Sequence, residues 1–596
     1  MHWSLSLHQM LALFSYTGLC FRADIRADSN RDGRVDLDGN TDIAHKLSSS
    51  NHAGAIFLAN IGDTGRRCSK LALRGSPPSN EKLAACNDAS DDIQRSDRYM
   101  AHLRTVPIPR LTPGAYGTVS VGDATARKNV RIFRREGSEW LITQNDHKFT
   151  QNQLQLGLNL GIDARDTRRP GGWDGRVNVH FTVHDRGKIS ADSVKLRVAP
   201  ILTYHHSQSV QQIFATAGND TSNFFQRKFV SALEASLAEM DVNYPLFKFN
   251  ASDDIWAQDF FEPGYTSMPG PSGPVTLQVM IRSAQDDRVA GRQVFEYLRG
   301  SGTGAVQDRG GSRDEINSMG NLETIPPHNF NGKNYTAGRI VLGTHGARKP
   351  YILKYMLAQE IQDPLLLDTN WLAVGHVDEM LQFLPANNSL GWAMLVPDPQ
   401  AGLAILRKTQ SAGYGNIRAF SRQNDTEGNP SDLFGIPWGL HGVPSYTIDD
   451  LLSQSQIIEA NANFARSIRG TVNLLKRETG ITNADIHGVP AVFRTGLTFP
   501  PNGGIRPERN NNSELAGSLY PASINGQVLS STQYLAPNPW GPVVDGRDIM
   551  ADAVSEVYGR LGFKVNFVDN WNSHHTWGGE VHCATNTIRN GNYRWW

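Results

Sequence analysis

The sequence has little cysteine: four in 596 residues, at Cys20, Cys68, Cys86 and Cys583. A small fold stapled by many disulfides is excluded, so stability must come from buried cores. A surplus of either charge is also missing, with 58 Lys and Arg against 58 Asp and Glu. Nucleic acid and anionic membrane need a basic partner, so neither is expected. No apolar run reaches the roughly eighteen residues of a membrane-spanning helix. There is no internal repeat, no long low-complexity tract, no GxGxxG and no phosphate-binding P-loop. What is present is 39% hydrophobic residues with 56 Gly and 30 Pro, the composition of a loop-rich folded protein. The length is too great for one core and predicts two or three domains.

Leu11 to Cys20 (LALFSYTGLC) is apolar over about the length of a signal-peptide core. His2 and His8 flank it weakly, and Ala23 offers a small residue before Asp24. Residues 1–23 therefore read as a signal peptide, and the protein as secreted. Loss of Cys20 with that peptide leaves Cys68 and Cys86 as a close pair suited to a disulfide in an oxidising compartment. Cys583 is then unpaired, either a buried inert thiol or a nucleophile.

Residues 24–199 read as a β-sandwich. Short apolar runs at Ala55 to Leu58, Val130 to Phe133, Trp140 to Ile142, Val177 to Val183 and Val194 to Val198 are separated by turn residues. Val177 to Val183 alternates at period two, as a half-buried strand does. The stretch Asp28, Asn30, Asp32 and Gly33 spaces oxygen-bearing side chains as a calcium loop does. It is not an EF-hand, because Gly39 stands where a bidentate Glu is required. A second cluster holds Asn87, Asp88, Asp91 and Asp92 ahead of Asp97, with Asn60 and Asp63 nearby. Asp28, Asn30, Asp32, Asn87, Asp91 and Asp97 are candidate Ca²⁺ ligands.

From residue 200 to 596 the pattern turns to α/β. Helices are predicted over Ser222 to Met240 and Ile448 to Thr479. Strands are predicted at Val275 to Ile281, Arg339 to Leu342, Trp392 to Val396 and Lys564 to Val568. Three patches carry chemistry: Trp256-Ala-Gln258-Asp259 with Glu262; Gly375-His376-Val-Asp378-Glu379; and Gly579-Glu580-Val-His582-Cys583. Together they offer a thiol, an imidazole and two carboxylates. Cys with His suits nucleophilic catalysis. Two carboxylates suit a cation, and a planar guanidinium matches them bidentately. A rival is zinc held by His574, His575, Glu580, His582 and Cys583.

The segments WAQDFFEPGY (256–265), GNLE (320–323), NWLAVGHVDEMLQFLPA (370–386) and GEVHCATN (579–586) resemble, in order and spacing, the peptidylarginine deiminases. The resemblance runs over roughly residues 24–596 and includes the aromatic tail Tyr593 to Trp596. It implies a five-bladed α/β-propeller preceded by an immunoglobulin-like domain. It implies arginine-bearing proteins or peptides as substrates. It puts the nucleophile on Cys583, the acid/base on His376, and the guanidinium-holding carboxylates on Asp259 and Asp378. Trp256 and Val374 match positions flanking the substrate arginine, and Arg288 the group that holds the substrate backbone.

The same resemblance implies Ca²⁺ near the site on Gln258, Glu262 and Glu323, with carbonyls of Met319 and Leu322. A second catalytic-domain ion needs an acid after Asp259. Phe260 stands there, so that site is expected to be lost, with an arginine supplying the charge. A runner-up from another class is a secreted calcium-binding adhesion protein with a degenerate catalytic domain. The intact set of Cys583, His376, Asp259 and Asp378 argues against it.

Overall fold

The computed structural model describes residues 21–73, 77–217, 224–240, 242–425, 442–495 and 515–596. The apolar run Leu11 to Cys20 lies outside them.

The alternation of Val177 to Val183 becomes one face of a strand, Arg176–Asp185, whose Val177, Val179, Phe181 and Val183 are at most 2% exposed. It pairs antiparallel with Lys188–Val198 across Arg186 and Gly187, which carry φ of 50° and 74°. Two left-handed residues match the twist of a tight hairpin, and Gly187 takes that conformation without steric cost. With Ala55–Phe57, Tyr116–Val121 and Phe149–Thr150 these strands make a five-stranded sheet. A second five-stranded sheet is built, in order, from Ile25–Ala27, Ala101–Thr105, Asn159–Ala164, Val130–Glu136 and Glu139–Ile142. Leu103, Leu160 and Ile162 share one apolar core with the valines of the first sheet. Cys68 and Cys86 are joined by a disulfide at the side of this unit.

Beyond Val198 the chain builds five small sheets on one plan, a leading strand antiparallel to a second and a third parallel to the second. Phe261–Met268, Val275–Arg282 and Thr303–Gln307 form the first of these. Leu322–Ile325, Arg339–Thr344 and Leu365–Asp368 form the next. Gln382–Pro385, Trp392–Asp398 and Ile486–Pro490 follow, then Gln527–Val528, Gln533–Pro537 and Lys564–Val568. The fifth sheet joins the two ends of the region: Thr585–Arg589 leads, antiparallel to Val210–Thr216, which runs parallel to Leu246–Phe249. Parallel neighbours need a crossover, and helices such as Phe224–Glu239, Leu353–Gln359 and Ile549–Arg560 provide it.

The predicted helix Ile448 to Thr479 is two helices, Ile448–Ser453 and Ser455–Thr479. Gln454 between them is extended, with φ −79° and ψ 94°. The apolar stripe of Phe464, Ile468 and Leu475 had hidden the break, because both helices bury a side into adjoining cores.

The repeated plan positions the chemistry. Just ahead of each leading strand stands one residue of the site: Asp259, Gly320, Asp378, Asn525 and Cys583. Five chain segments far apart in sequence are thereby delivered to one place.

Candidate active site

Gly320 marks the centre. A Cβ built on it would lie 2.9 Å from Asp259 Oδ1, 2.9 Å from His376 Nδ1 and 3.0 Å from Asp378 Oδ2. Two carboxylates and an imidazole therefore converge on one point. Asp259 Oδ1, His376 Nδ1 and Asp378 Oδ1 are buried without a hydrogen-bond partner. Unpaired buried acceptors are costly, so a donor-rich cation suits the place.

Cys583 sits in the short helix Val581–Ala584, with Sγ 3.4 Å from Asp378 Oδ2. Asn525 anchors this turn: its Oδ1 accepts from Cys583 N at 3.3 Å, and its Nδ2 donates to the Asp378 carbonyl at 3.2 Å. Burial pushes the Cys583 thiol well above its ordinary pKa, and Asp378 and Asp259 push it further. Burial works against charge on His376, but Asp259, Asp378, Glu379 and Glu315 outweigh it and raise its pKa. His376 Nε2 faces the Glu315 carbonyl at 2.8 Å, which aims Nδ1 at Asp259, 3.7 Å away. Glu379 accepts the Gly375 and His376 N–H groups at 2.9 and 2.7 Å and so fixes that turn. Burial raises Asp259 to about 6, against the pull of His376 and Arg288.

The flanking residues fall in three different settings. Trp256 lies beside Cys583: a Cβ on Gly579 would meet the Trp256 ring at 2.5 Å and Cys583 Cβ at 3.2 Å. Val374 is half-buried just before the His376 turn. Arg288, expected to hold the substrate backbone, lies inside the protein. It is 3% exposed and bound to Asp254 through Nε and Nη2 at 2.7 and 2.9 Å, with Nη2 3.7 Å from Asp259 Oδ2. In this structure it is an internal counter-ion of the site. Asp254, two residues ahead of the Trp256 segment, was not singled out in the sequence.

Behind the site Gln258, Glu262 and Glu323 come together. Gln258 Nε2 donates to Glu262 Oε2 at 2.7 Å. Burial raises Glu323 to about 7 and pushes Glu262 well up, each carboxylate lying close to other acids. Two buried carboxylates with raised pKa fit a divalent cation, which would replace the protons. The Met319 carbonyl already accepts the Leu322 N–H, and Leu322 begins the strand that carries Glu323.

The aspartate-rich N-terminal loops are arranged otherwise. Asp28 accepts from the N–H groups of Asp32 and Gly33 at 3.0 and 2.9 Å, and Asn30 Nδ2 donates to Asp32 at 2.9 Å. Asp28 and Asp97 line one cavity of about 300 Å³. Asn87 and Asp91 lie in a different, arginine-braced cluster. Arg95 binds both Asp91 oxygens at 2.6 and 2.7 Å, and the guanidinium of Arg131 takes the carbonyls of Asp88, Asp91 and Ile93. Asn87 Oδ1 caps Ala89 N at 2.8 Å. The six candidate oxygens thus do not share one centre, and guanidinium occupies the second cluster.

The rival zinc set does not assemble either. His575 Nδ1 faces Glu580 at 2.8 Å, His574 Nδ1 faces Ser573 Oγ at 2.9 Å, and His582 Nδ1 turns to Asp378 at 3.0 Å.

A buried thiol, an imidazole and paired carboxylates around one point make a nucleophile–imidazole–dicarboxylate site. A family model described as protein-arginine deiminase matches residues 188–596, and the chain belongs to that family. The two N-terminal sheets lie almost wholly outside the match, which does not reach back to residue 24 as the sequence had suggested. Human protein-arginine deiminase type-4 is 28% identical over 421 residues, covering 68% of this chain and 56% of the human protein. Rat protein-arginine deiminase type-3 is 30% identical over 446 residues, covering 71% of this chain and 60% of the rat protein. The chain thus matches little more than half the length of these relatives. Among solved structures, an agmatine deiminase of C. jejuni aligns over 66% of this chain and 96% of its own at 11% identity, with a TM-score of 0.33.

Proposed function

We propose that the protein hydrolyses peptidyl-arginine to peptidyl-citrulline with release of ammonia. The observation that carries this reading is the convergence of Asp259, His376 and Asp378 on the point above Gly320, with Cys583 Sγ 3.4 Å from Asp378 Oδ2. Asp259 and Asp378 clamp the guanidinium and set Cζ at the sulfur. The cation neutralises the two carboxylates that hold the thiol protonated, so the thiol gives its proton to solvent as the substrate binds and the thiolate forms in the complex. A C–S bond forms at Cζ. The C–N bond breaks, and His376, kept protonated by its acidic neighbours, gives its proton to the departing ammonia. Water then adds to Cζ, passing a proton to His376 as the C–S bond breaks, and citrulline leaves.

Calcium on Gln258, Glu262 and Glu323 would supply fixed positive charge behind Asp378 and Cys583. The five-sheet plan, closed by pairing of Thr585–Arg589 with Val210–Thr216, supports a five-bladed propeller. The two facing N-terminal sheets support an immunoglobulin-like unit over 24–199. The Cys68–Cys86 disulfide supports export, and the substrates are arginine-bearing proteins or peptides.

The test is a citrulline and ammonia assay on a blocked arginine peptide. Cys583→Ser should lower turnover on the order of 10³-fold or more without unfolding the chain. Asp378→Asn should raise KM and lower kcat together. Turnover above a tenth of wild type in the serine variant would remove the nucleophile assignment. Absence of citrulline with any arginine peptide would favour the adhesion reading instead.

A further inference from the structure

We propose that His206, Glu323 and His582 form a binding site for a borderline divalent cation of the zinc type. The inference goes beyond the deiminase reading and does not depend on it.

Among the described residues, these three make the group whose ligand atoms, drawn from His, Cys, Asp or Glu side chains, all lie within 4.8 Å of one another. They come from separate parts of the chain. His206 lies in the loop between Leu202–Thr203 and Val210–Thr216, Glu323 in the strand Leu322–Ile325, and His582 beside the nucleophile. The sequence offers no spacing signal for such a set, because no two of its members share an element.

The ring nitrogens are sorted for metal binding. His206 Nδ1 lies 3.0 Å from the Phe383 carbonyl oxygen. A carbonyl only accepts, so Nδ1 carries the hydrogen and the lone pair of the neutral ring is on Nε2. His582 Nδ1 lies 3.0 Å from Asp378 Oδ2, which again leaves Nε2 as the donor atom. An imidazole whose far nitrogen is held by a carboxylate or a carbonyl is the usual state of a metal-bound histidine.

The separation of donors agrees. His582 Nε2 and Glu323 Oε1 are 3.4 Å apart. An N–H···O hydrogen bond is commonly about 2.7–3.2 Å. Two donors each about 2.0–2.1 Å from a tetrahedral ion stand roughly 3.3–3.4 Å apart. Positive charge is also in demand. Glu323 pushes the buried Glu262 carboxyl further up, and the Arg589 guanidinium, which pulls both carboxylates down, spends Nη1 and Nη2 on the carbonyls of Gln208 and Val528.

Two imidazoles among three donors do not suit calcium, which takes oxygen. They suit zinc, and less selectively cobalt, nickel or copper. The site shares Glu323 with the oxygen set of Gln258 and Glu262, so the two ions exclude one another. Through His582 the zinc-type ion would also fix the Nδ1 hydrogen on Asp378, a carboxylate that faces the substrate position.

The experiment uses the full chain carrying Cys583→Ser, which removes the neighbouring thiol as a zinc ligand, stripped of metal by chelation. Zinc is titrated against a chromogenic competitor, and cobalt is added separately as a spectroscopic probe. One zinc per chain is expected, with strong visible cobalt absorption and no displacement by a hundredfold excess of calcium. His206→Asn in the same background should weaken zinc at least tenfold while circular dichroism and melting stay as in the parent. Because binding is read without turnover, failure here is separable from failure of the deiminase reading. No stoichiometric zinc, unchanged affinity in the His206→Asn chain, or easy displacement by calcium would each overturn the proposal.

Discussion

Asp378 Oδ2 is shared by two groups from neighbouring positions: Cys583 Sγ at 3.4 Å and His582 Nδ1 at 3.0 Å. An ionised carboxylate only accepts, so the thiol is its donor and the free enzyme holds Cys583 protonated. Burial and the nearby carboxylates raise the thiol pKa well above the ordinary range. The sign follows directly: the thiolate fraction of the free enzyme is small at neutral pH and grows only in alkali. Iodoacetamide should therefore inactivate slowly at pH 7 and faster with each pH step above about 9. A haloacetamidine carries its own cation into the carboxylate clamp. It should inactivate at pH 7 at least tenfold faster than iodoacetamide, a contrast that Asp378→Asn reduces. Equal rates for both reagents at pH 7 would mean that the thiolate preexists.

Gly320 leaves the space between Asp259, His376 and Asp378 open because it has no side chain. A methyl group there would stand within about 3 Å of three site atoms at once. Its neighbours are the ends of side chains from the turn at Asp259 and the turn that carries His376 and Asp378, so they can yield slightly and the fold should survive. The clamp would open by a fraction of an ångström, and misplacement on that scale costs about 10²-fold in rate. Gly320→Ala should lower kcat/KM to that extent with a melting temperature within a few degrees of wild type. A variant of undiminished activity would show that the guanidinium does not sit above Gly320.

Much of this was legible in the sequence, and the rest was hidden for identifiable reasons. The alternating valines of 177–183 announced their strand because one face of it is core. The segments around Asp259, His376 and Cys583 announced the chemistry because thiol, imidazole and carboxylate are scarce and local. The five-sheet plan left no trace, since its repeat lies in backbone pairing and not in side chains. Asn525 and His206 were invisible because their partners lie far off in sequence: Asn525 holds Asp378, 147 positions earlier, and Cys583, 58 later, and His206 faces Phe383, 177 later. The tie between Arg288 and Asp254, thirty-four residues earlier, was not visible because nothing in the sequence pairs them.

Glu360 links the two halves of the molecule and sets a pH window for their union. It follows the helix Leu353–Gln359 and pairs with Arg168 and Arg176 on the N-terminal side. Burial opposes its charge, but hydrogen bonds from both arginines prevail and hold its pKa at about 2. A lowered carboxyl pKa contributes stability above its unfolded value of about 4.3 and loses it as pH falls towards 2. Wild-type melting temperature should therefore fall across that window. Glu360→Gln should be less stable at neutral pH and show a flatter decline between pH 4.3 and 2. Parallel curves for the two proteins would remove Glu360 from the acid response.

The last prediction concerns activity without calcium. The acid that a second catalytic-domain ion would need after Asp259 is replaced by Phe260, which is fully buried against Phe249 and Phe261 with ring centroids 5.1 and 5.4 Å away. A phenyl ring cannot ligate calcium. Arg282, also buried, gathers oxygens from four residues around one guanidinium. Its Nη1 donates to Asn80 and Gln307 at 2.9 and 3.2 Å, and its Nη2 to the carbonyls of Asp286 and Arg288, both at 3.2 Å. A Cβ on Gly291 would meet Arg282 at 2.9 Å and the Phe260 carbonyl at 3.1 Å, so the guanidinium lies against the backbone that follows Asp259. A covalently attached cation thus ties the 282–291 loop to the catalytic strand and cannot be chelated away. After exhaustive chelation the enzyme should keep kcat/KM within about tenfold of its calcium-replete value, the remaining loss coming from the Glu262 and Glu323 carboxylates. Arg282→Met should lose far more, and added calcium should not restore it, because the Phe260 side chain offers no oxygen where an acid would be needed. Complete and reversible loss of wild-type activity on chelation, with circular dichroism unchanged, would show that an ion and not Arg282 orders this loop.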